Sequence, residues 1–118
     1  MKYLKQFESF YYGDKERTNQ ILTEWGVNTE DFEDLFIWFS DEGYKVQIRP
    51  NLLGNGLRSG IPKKTIWVTI DNINDLYDTN VMEETRKVIR GLTQLGLYSD
   101  SPKRYEESGM MVFMVMKR

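Results

Sequence analysis

Apolar and polar positions alternate in residues 44–49, with Tyr44, Val46 and Ile48 on one side and Lys45, Gln47 and Arg49 on the other. Residues 65–70 alternate in the same way, Ile66, Val68 and Ile70 against Thr65, Trp67 and Thr69. A period of two over such a stretch predicts half-buried strands. Helical spacing appears elsewhere. Phe32, Leu35, Phe36 and Phe39 recur at i, i+3, i+4 and i+7. Asn28 or Thr29 stands ready as an N-cap, and Glu30, Asp31, Glu33 and Asp34 follow where the helix dipole favours negative charge. Gly43 suits the left-handed residue after a helix. The run LFIWF is itself β-prone, and SDEG could close a hairpin onto the next strand, so residues 29–42 have a second reading as a hairpin arm. Caps that agree with the period at both ends favour the helix.

Other elements follow from similar signals. Asp14 can cap a short helix carrying Ile21, Leu22 and Trp25, which Gly26 ends. Asn80 opens a longer helix, with Glu83 completing an approximate capping box, and its inner stripe is Val81, Val88, Leu92 and Leu95 with Ile89. The chain closes with MMVFMVM, an apolar run of strand length. The order helix, strand, strand, helix, strand predicts one α+β domain over residues 1–118, with residues 1–13 a looser N-terminal arm. Its expected architecture is a two-layer sandwich: a three- or four-stranded, mostly antiparallel sheet with helices on one face. That is a partial ferredoxin-like plan, which a strand over residues 2–7 would complete. A long loop is expected over residues 49–64, and a turn-rich stretch at LYSDSPKRYEESG.

Composition narrows the chemistry more than the fold. The chain contains neither histidine nor cysteine. Their joint absence removes the usual zinc and haem ligands, the Ser/His and Cys/His nucleophilic pairs and the commonest general base. Neighbouring carboxylates such as Glu83/Glu84 and Glu106/Glu107 diverge on a helix or strand and make poor acid–base dyads. The cluster DNINDLYD lacks the spacing and the glycine of a calcium loop, and turn formation with helix capping accounts for it. No catalytic residue, metal site or cofactor is therefore expected. No apolar run reaches the roughly 20 residues of a membrane span. Lys5, Gln6 and Glu8 interrupt the N-terminus before a signal-peptide core could build, so a cytoplasmic, non-membrane protein is expected. The net charge of −2 conceals a split: residues 1–42 hold four bases and ten acids, residues 43–118 twelve bases and eight acids.

Two candidate surfaces remain. In the loop over residues 49–64, Arg49, Arg58, Lys63 and Lys64 meet no acid, and Gly54, Gly56 and Gly60 flank Asn55 and its neighbours. Mobile backbone amides with positive charge suit an anion. The spacing matches neither established phosphate-loop pattern. Trp67 projects from the polar side of its strand towards Lys45, Gln47 and Arg49, an arrangement that single-strand nucleic-acid binders use for stacking. A solvated loop, and a tryptophan covered by the N-terminal helix, are the plainer explanations. The second surface is the last strand, where Met110, Val112, Met114 and Met116 form an apolar face opposite Met111, Phe113 and Val115. Either the N-terminal arm covers that second face, or a partner does.

The opening MKYLKQFESF, together with DLFIWFSDEGYKVQI followed by TIWVTI and a helix, resembles small accessory proteins of tailed, marine-type bacteriophages. The resemblance implies a protein made inside a bacterium, in the host cytoplasm, and carries over no functional residue. The long basic loop departs from its shorter hairpins. The leading expectation is a non-enzymatic interaction module that binds a protein partner or self-associates. The alternative is a nucleic-acid-binding domain using Arg49, Asn55, Arg58, Lys63, Lys64 and Trp67. An enzyme of unusual type comes third.

Overall fold

The computed structural model describes residues 10–53, 63–99 and 101–118, which build one mixed sheet with helices packed against one face. Strand β1 (Phe10–Tyr12) lies at an edge, parallel to β2 (Lys45–Leu53), and pairs Phe10 with Val46 and Tyr12 with Ile48. Strand β3 (Lys63–Asp71) runs antiparallel to β2 along its whole length. Helix α4 (Thr79–Gln94) then leads to β4 (Leu97–Ser99) and β5 (Lys103–Tyr105), and the chain ends in β6 (Met110–Lys117). Strand β6 sits between β3 on one side and both β4 and β5 on the other, all antiparallel to it.

The helices begin where their caps dictate. Helix α1 (Lys15–Glu24) starts at Asp14, whose side chain accepts the Arg17 N–H at 3.0 Å. Gly26 follows at φ +76°, a backbone state that suits glycine. The aromatic run is helical, which rules out the hairpin arm, yet it forms two pieces, α2 (Thr29–Asp34) and α3 (Ile37–Asp41). Asn28 caps the first by accepting the Glu30 N–H at 2.8 Å, and Gly43 at φ +91° closes the second. Between them the N–H groups of Leu35 and Phe36 reach back only three residues, to the carbonyls of Phe32 and Glu33. That tighter turn keeps Phe32, Phe36 and Phe39 all fully buried. The Phe36 ring lies 5.6 Å from both Phe32 and Phe113, which ties helix to sheet. In α4 the cap is Asp78 and not Asn80: its carboxylate accepts the N–H groups of Asn80 at 2.9 Å and Val81 at 3.4 Å.

The core follows from strand alternation. Val46, Ile48, Ile66, Val68, Ile70, Met111, Phe113 and Val115 point to the helical side and are fully buried. They pack with Ile21, Leu22 and the phenylalanines of α2 and α3, and with Val81, Val88 and Leu92 of α4. The class is α+β, but the described sheet has six strands instead of three or four, and its order is not ferredoxin-like. That plan needs its first strand between the third and the last. Here β3 and β6 pair directly, so β1 is left at the edge. Part of the expected loose arm is thus strand, while a strand over residues 2–7 falls outside the described residues. The loop is also shorter than expected, because β2 continues through Pro50 to Leu53. The last residue that β1 pairs is Ile48, so Pro50, which has no N–H to donate, lies beyond that pairing.

Candidate functional site

The strand residues that do not join the core share the opposite face of the sheet, and no described helix covers it. Cross-strand register gathers them. Gln47 stands opposite Thr69, and Thr69 opposite Val112; Arg49 stands opposite Trp67, and Trp67 opposite Met114. On the far side of β6, Lys103 faces Val112 and Tyr105 faces Met110. Together with Asp71 these residues line one open depression of about 300 Å³. Its middle is apolar, built from Trp67, Val112, Met110 and Met114, all but Val112 being large and all half-buried.

Charge is arranged around that middle. The Arg49 guanidinium lies over the Trp67 ring, 5.5 Å from its centroid, and the Lys45 ammonium lies over the Tyr11 ring at 4.8 Å. Such contacts contribute about 0.5–1 kcal/mol each at exposed sites. Gln47 donates to the Asp71 carboxylate at 3.3 Å. The indole N–H of Trp67 is enclosed without an acceptor among the described residues. Lys45, Arg49 and Lys103 therefore outnumber Asp71 on this face. The acidic first third of the chain rides instead on the helical layer: Glu16 and Glu24 in α1, and Glu30, Asp31, Glu33 and Asp34 in α2.

The two sets of sequence candidates converge in part. Arg49 and Trp67 line the same depression as Met110, Val112 and Met114. Trp67 is not covered by the N-terminal helix, because α1 packs on the other side of the sheet. Lys64 leaves the set: it pairs with Glu24 of α1, on the helical side. Lys63 opens β3, but its side chain lies outside the description, and Asn55 and Arg58 lie outside the described residues. Met116 leaves the interface set, because it is buried and its sulfur accepts the Tyr98 hydroxyl at 3.7 Å. The DNINDLYD cluster makes turns and a cap, with Asp75 accepting the Tyr77 N–H at 3.0 Å and Asp78 capping α4. No group of three or more carboxylates among the described residues is placed to hold a metal ion.

Comparison with protein-family models, curated proteins and solved structures gives no match. Three members of the open face of the sheet were not singled out from the sequence. Tyr11, 48% exposed, sits on the edge strand β1, and Lys103 and Tyr105, the latter 44% exposed, on β5. Strands of three residues are too short to show a period. Lys45 was visible, in the row beside Trp67. No helix among the described residues is long and apolar enough to cross a membrane.

Proposed function

We propose that this chain is a non-enzymatic interaction module whose docking surface is the open face of its sheet. One observation carries the reading: Arg49 and Trp67, from one candidate set, and Met110, Val112 and Met114, from the other, come from separate parts of the chain yet line a single depression. An apolar centre of Trp and Met with Arg, Lys and Tyr around it has the anatomy of an interaction surface, where such residues are enriched. The apolar centre suits a protein partner or a second copy of the chain; the cation-covered rings suit a nucleic acid. Both need the face free of its own chain. The opening MKYLKQFESF and the helix–strand layout resemble phage accessory proteins, which supports reading the module as an accessory protein of a tailed phage, made in a bacterial cytoplasm.

The test is the solution mass of the protein and of Val112→Glu and Met114→Glu over a range of concentrations and salt. The expected outcome is that both variants keep the native circular dichroism and a melting temperature within a few degrees of the parent. A salt-resistant dimer lost in both variants identifies a second copy as the occupant. A monomer whose variants stay folded leaves the face for another ligand. Two variants that simply unfold make this face core and remove the reading.

A further inference from the structure

We infer that the ligand of the open face is single-stranded nucleic acid, bound across the sheet by Tyr11, Trp67 and Tyr105 with Lys45, Arg49 and Lys103. This inference rests on the reading of that face as a docking surface and names its occupant. Three observations converge on it. First, the charge is complementary: among the described residues, Lys45, Arg49 and Lys103 share the face with one acid of the depression, Asp71, and Gln47 already donates to that carboxylate. The chain as a whole carries −2, so the excess of positive charge on this face is a local feature.

Second, the aromatic side chains are distributed as a track. Register puts Tyr11 on β1, Trp67 on β3 and Tyr105 on β5, with one strand between each successive pair. From strand spacing and rise, their backbone positions are separated by about 12 Å and then about 16 Å. A strand crossing the face would meet the rings in succession. Third, each ring has a cation on the same face: Lys45 over Tyr11, Arg49 over Trp67, and Lys103 two residues before Tyr105. A flat base beside a phosphate needs a flat apolar surface next to a positive charge; Tyr11 with Lys45 and Trp67 with Arg49 form that unit by direct contact, and Lys103 shares a strand face with Tyr105. A purely protein partner would be served by the apolar centre without this repetition.

A duplex keeps its bases stacked on each other, out of reach of rings on a shallow sheet, so single strands are the expected form. The residues beyond the sheet face are not needed. In particular, Lys64 is held on the opposite side by Glu24.

The experiment is fluorescence anisotropy with labelled single-stranded DNA and RNA oligonucleotides of mixed sequence, the same DNA as a duplex, and a labelled poly-glutamate peptide. With three phosphates neutralised, affinity for single strands should fall about twentyfold between roughly 50 and 200 mM salt. Trp67→Ala and, as a second variant at an exposed position, Tyr105→Ala should each weaken binding about tenfold without changing the salt dependence. Lys103→Ala should flatten the salt dependence, and Lys64→Ala should change nothing. Absence of single-strand binding at low salt overturns the inference, as does binding that Tyr105→Ala and Lys103→Ala leave untouched. Binding of the acidic peptide alone, lost in the same variants, overturns nucleic acid as the occupant while the docking face stands.

Discussion

Tyr12 joins the edge strand to the helical layer. Its hydroxyl donates to the Glu33 carboxylate on α2, and Lys15 lies over its ring at 5.2 Å. Burial, and then the hydrogen bond and charge of Glu33, hold its ionisation well above the ordinary 10.0. The folded chain therefore keeps this proton more tightly than the unfolded chain does. The associated stability is complete below about pH 10 and is lost as pH rises beyond it. Tyr12→Phe removes a donor to a charged acceptor and should cost roughly 2 kcal/mol near neutrality. Because the variant lacks the ionisable group, its deficit against the parent should narrow at about pH 11, as the parent gives up its proton-linked share. Urea denaturation of both proteins at the two pH values measures this. A deficit that widens with pH would show that the hydroxyl is not held as described. By contrast, Lys64 and Glu24 are both substantially exposed, so Lys64→Ala should shift stability by less than about 1 kcal/mol.

Among the elements, the caps decide where helices start, and the correction at α4 can be measured. Asp78→Ala removes the acceptor of two N–H groups and should cost about 1 kcal/mol, whereas Asn80→Ala, inside the first turn, should be near neutral. Equal costs would return the cap to Asn80. The β5–β6 turn is tied down differently. Gly109 has φ +64°, and a Cβ there would lie 2.5 Å from the carbonyl oxygen of Ile73. The same residues are bonded, Ile73 N–H to Gly109 carbonyl at 2.9 Å. Gly109→Ala should therefore cost more than about 2 kcal/mol in thermal or chemical denaturation, from the strained backbone and the displaced contact together. These elements also show what was legible beforehand. Alternation over six residues read correctly at β2 and β3, and caps at both ends of a helical period at α1 and the aromatic run, although that run divides into α2 and α3 where one helix was expected. Asp78 was misjudged because Asn80 and Glu83 satisfy the same capping pattern two residues on. Strands β1, β4 and β5 escaped because three-residue strands are set by the partner they pair with, here β2 and β6, and not by their own pattern.

For the whole molecule, the central question is which side of β6 the helices take. Its sequence is apolar on both faces, so periodicity could not distinguish a core face from a docking face. The decision comes from register with β3: Met111, Phe113 and Val115 fall in line with Ile70, Val68 and Ile66, the residues that meet the helices. Met114 and Val112 then fall beside Trp67 and Thr69, on the side where Arg49 and Lys103 also stand. This is why Arg49 and Trp67 meet Met110, Val112 and Met114, although the two candidate surfaces looked separate along the chain. The same asymmetry should be visible in stability. Phe113 is fully buried and meets Phe36 edge to face, so Phe113→Ala leaves a cavity and should cost about 3–5 kcal/mol. Met114, its neighbour in sequence, is half-buried on the open face, and Met114→Ala should cost about 1 kcal/mol, from partial loss of apolar contact with no closed cavity. Urea midpoints for the two variants give the comparison directly. A Met114→Ala cost as large as that of Phe113→Ala would mean a third layer closes over this face, and a surface closed by its own chain has no room for a ligand.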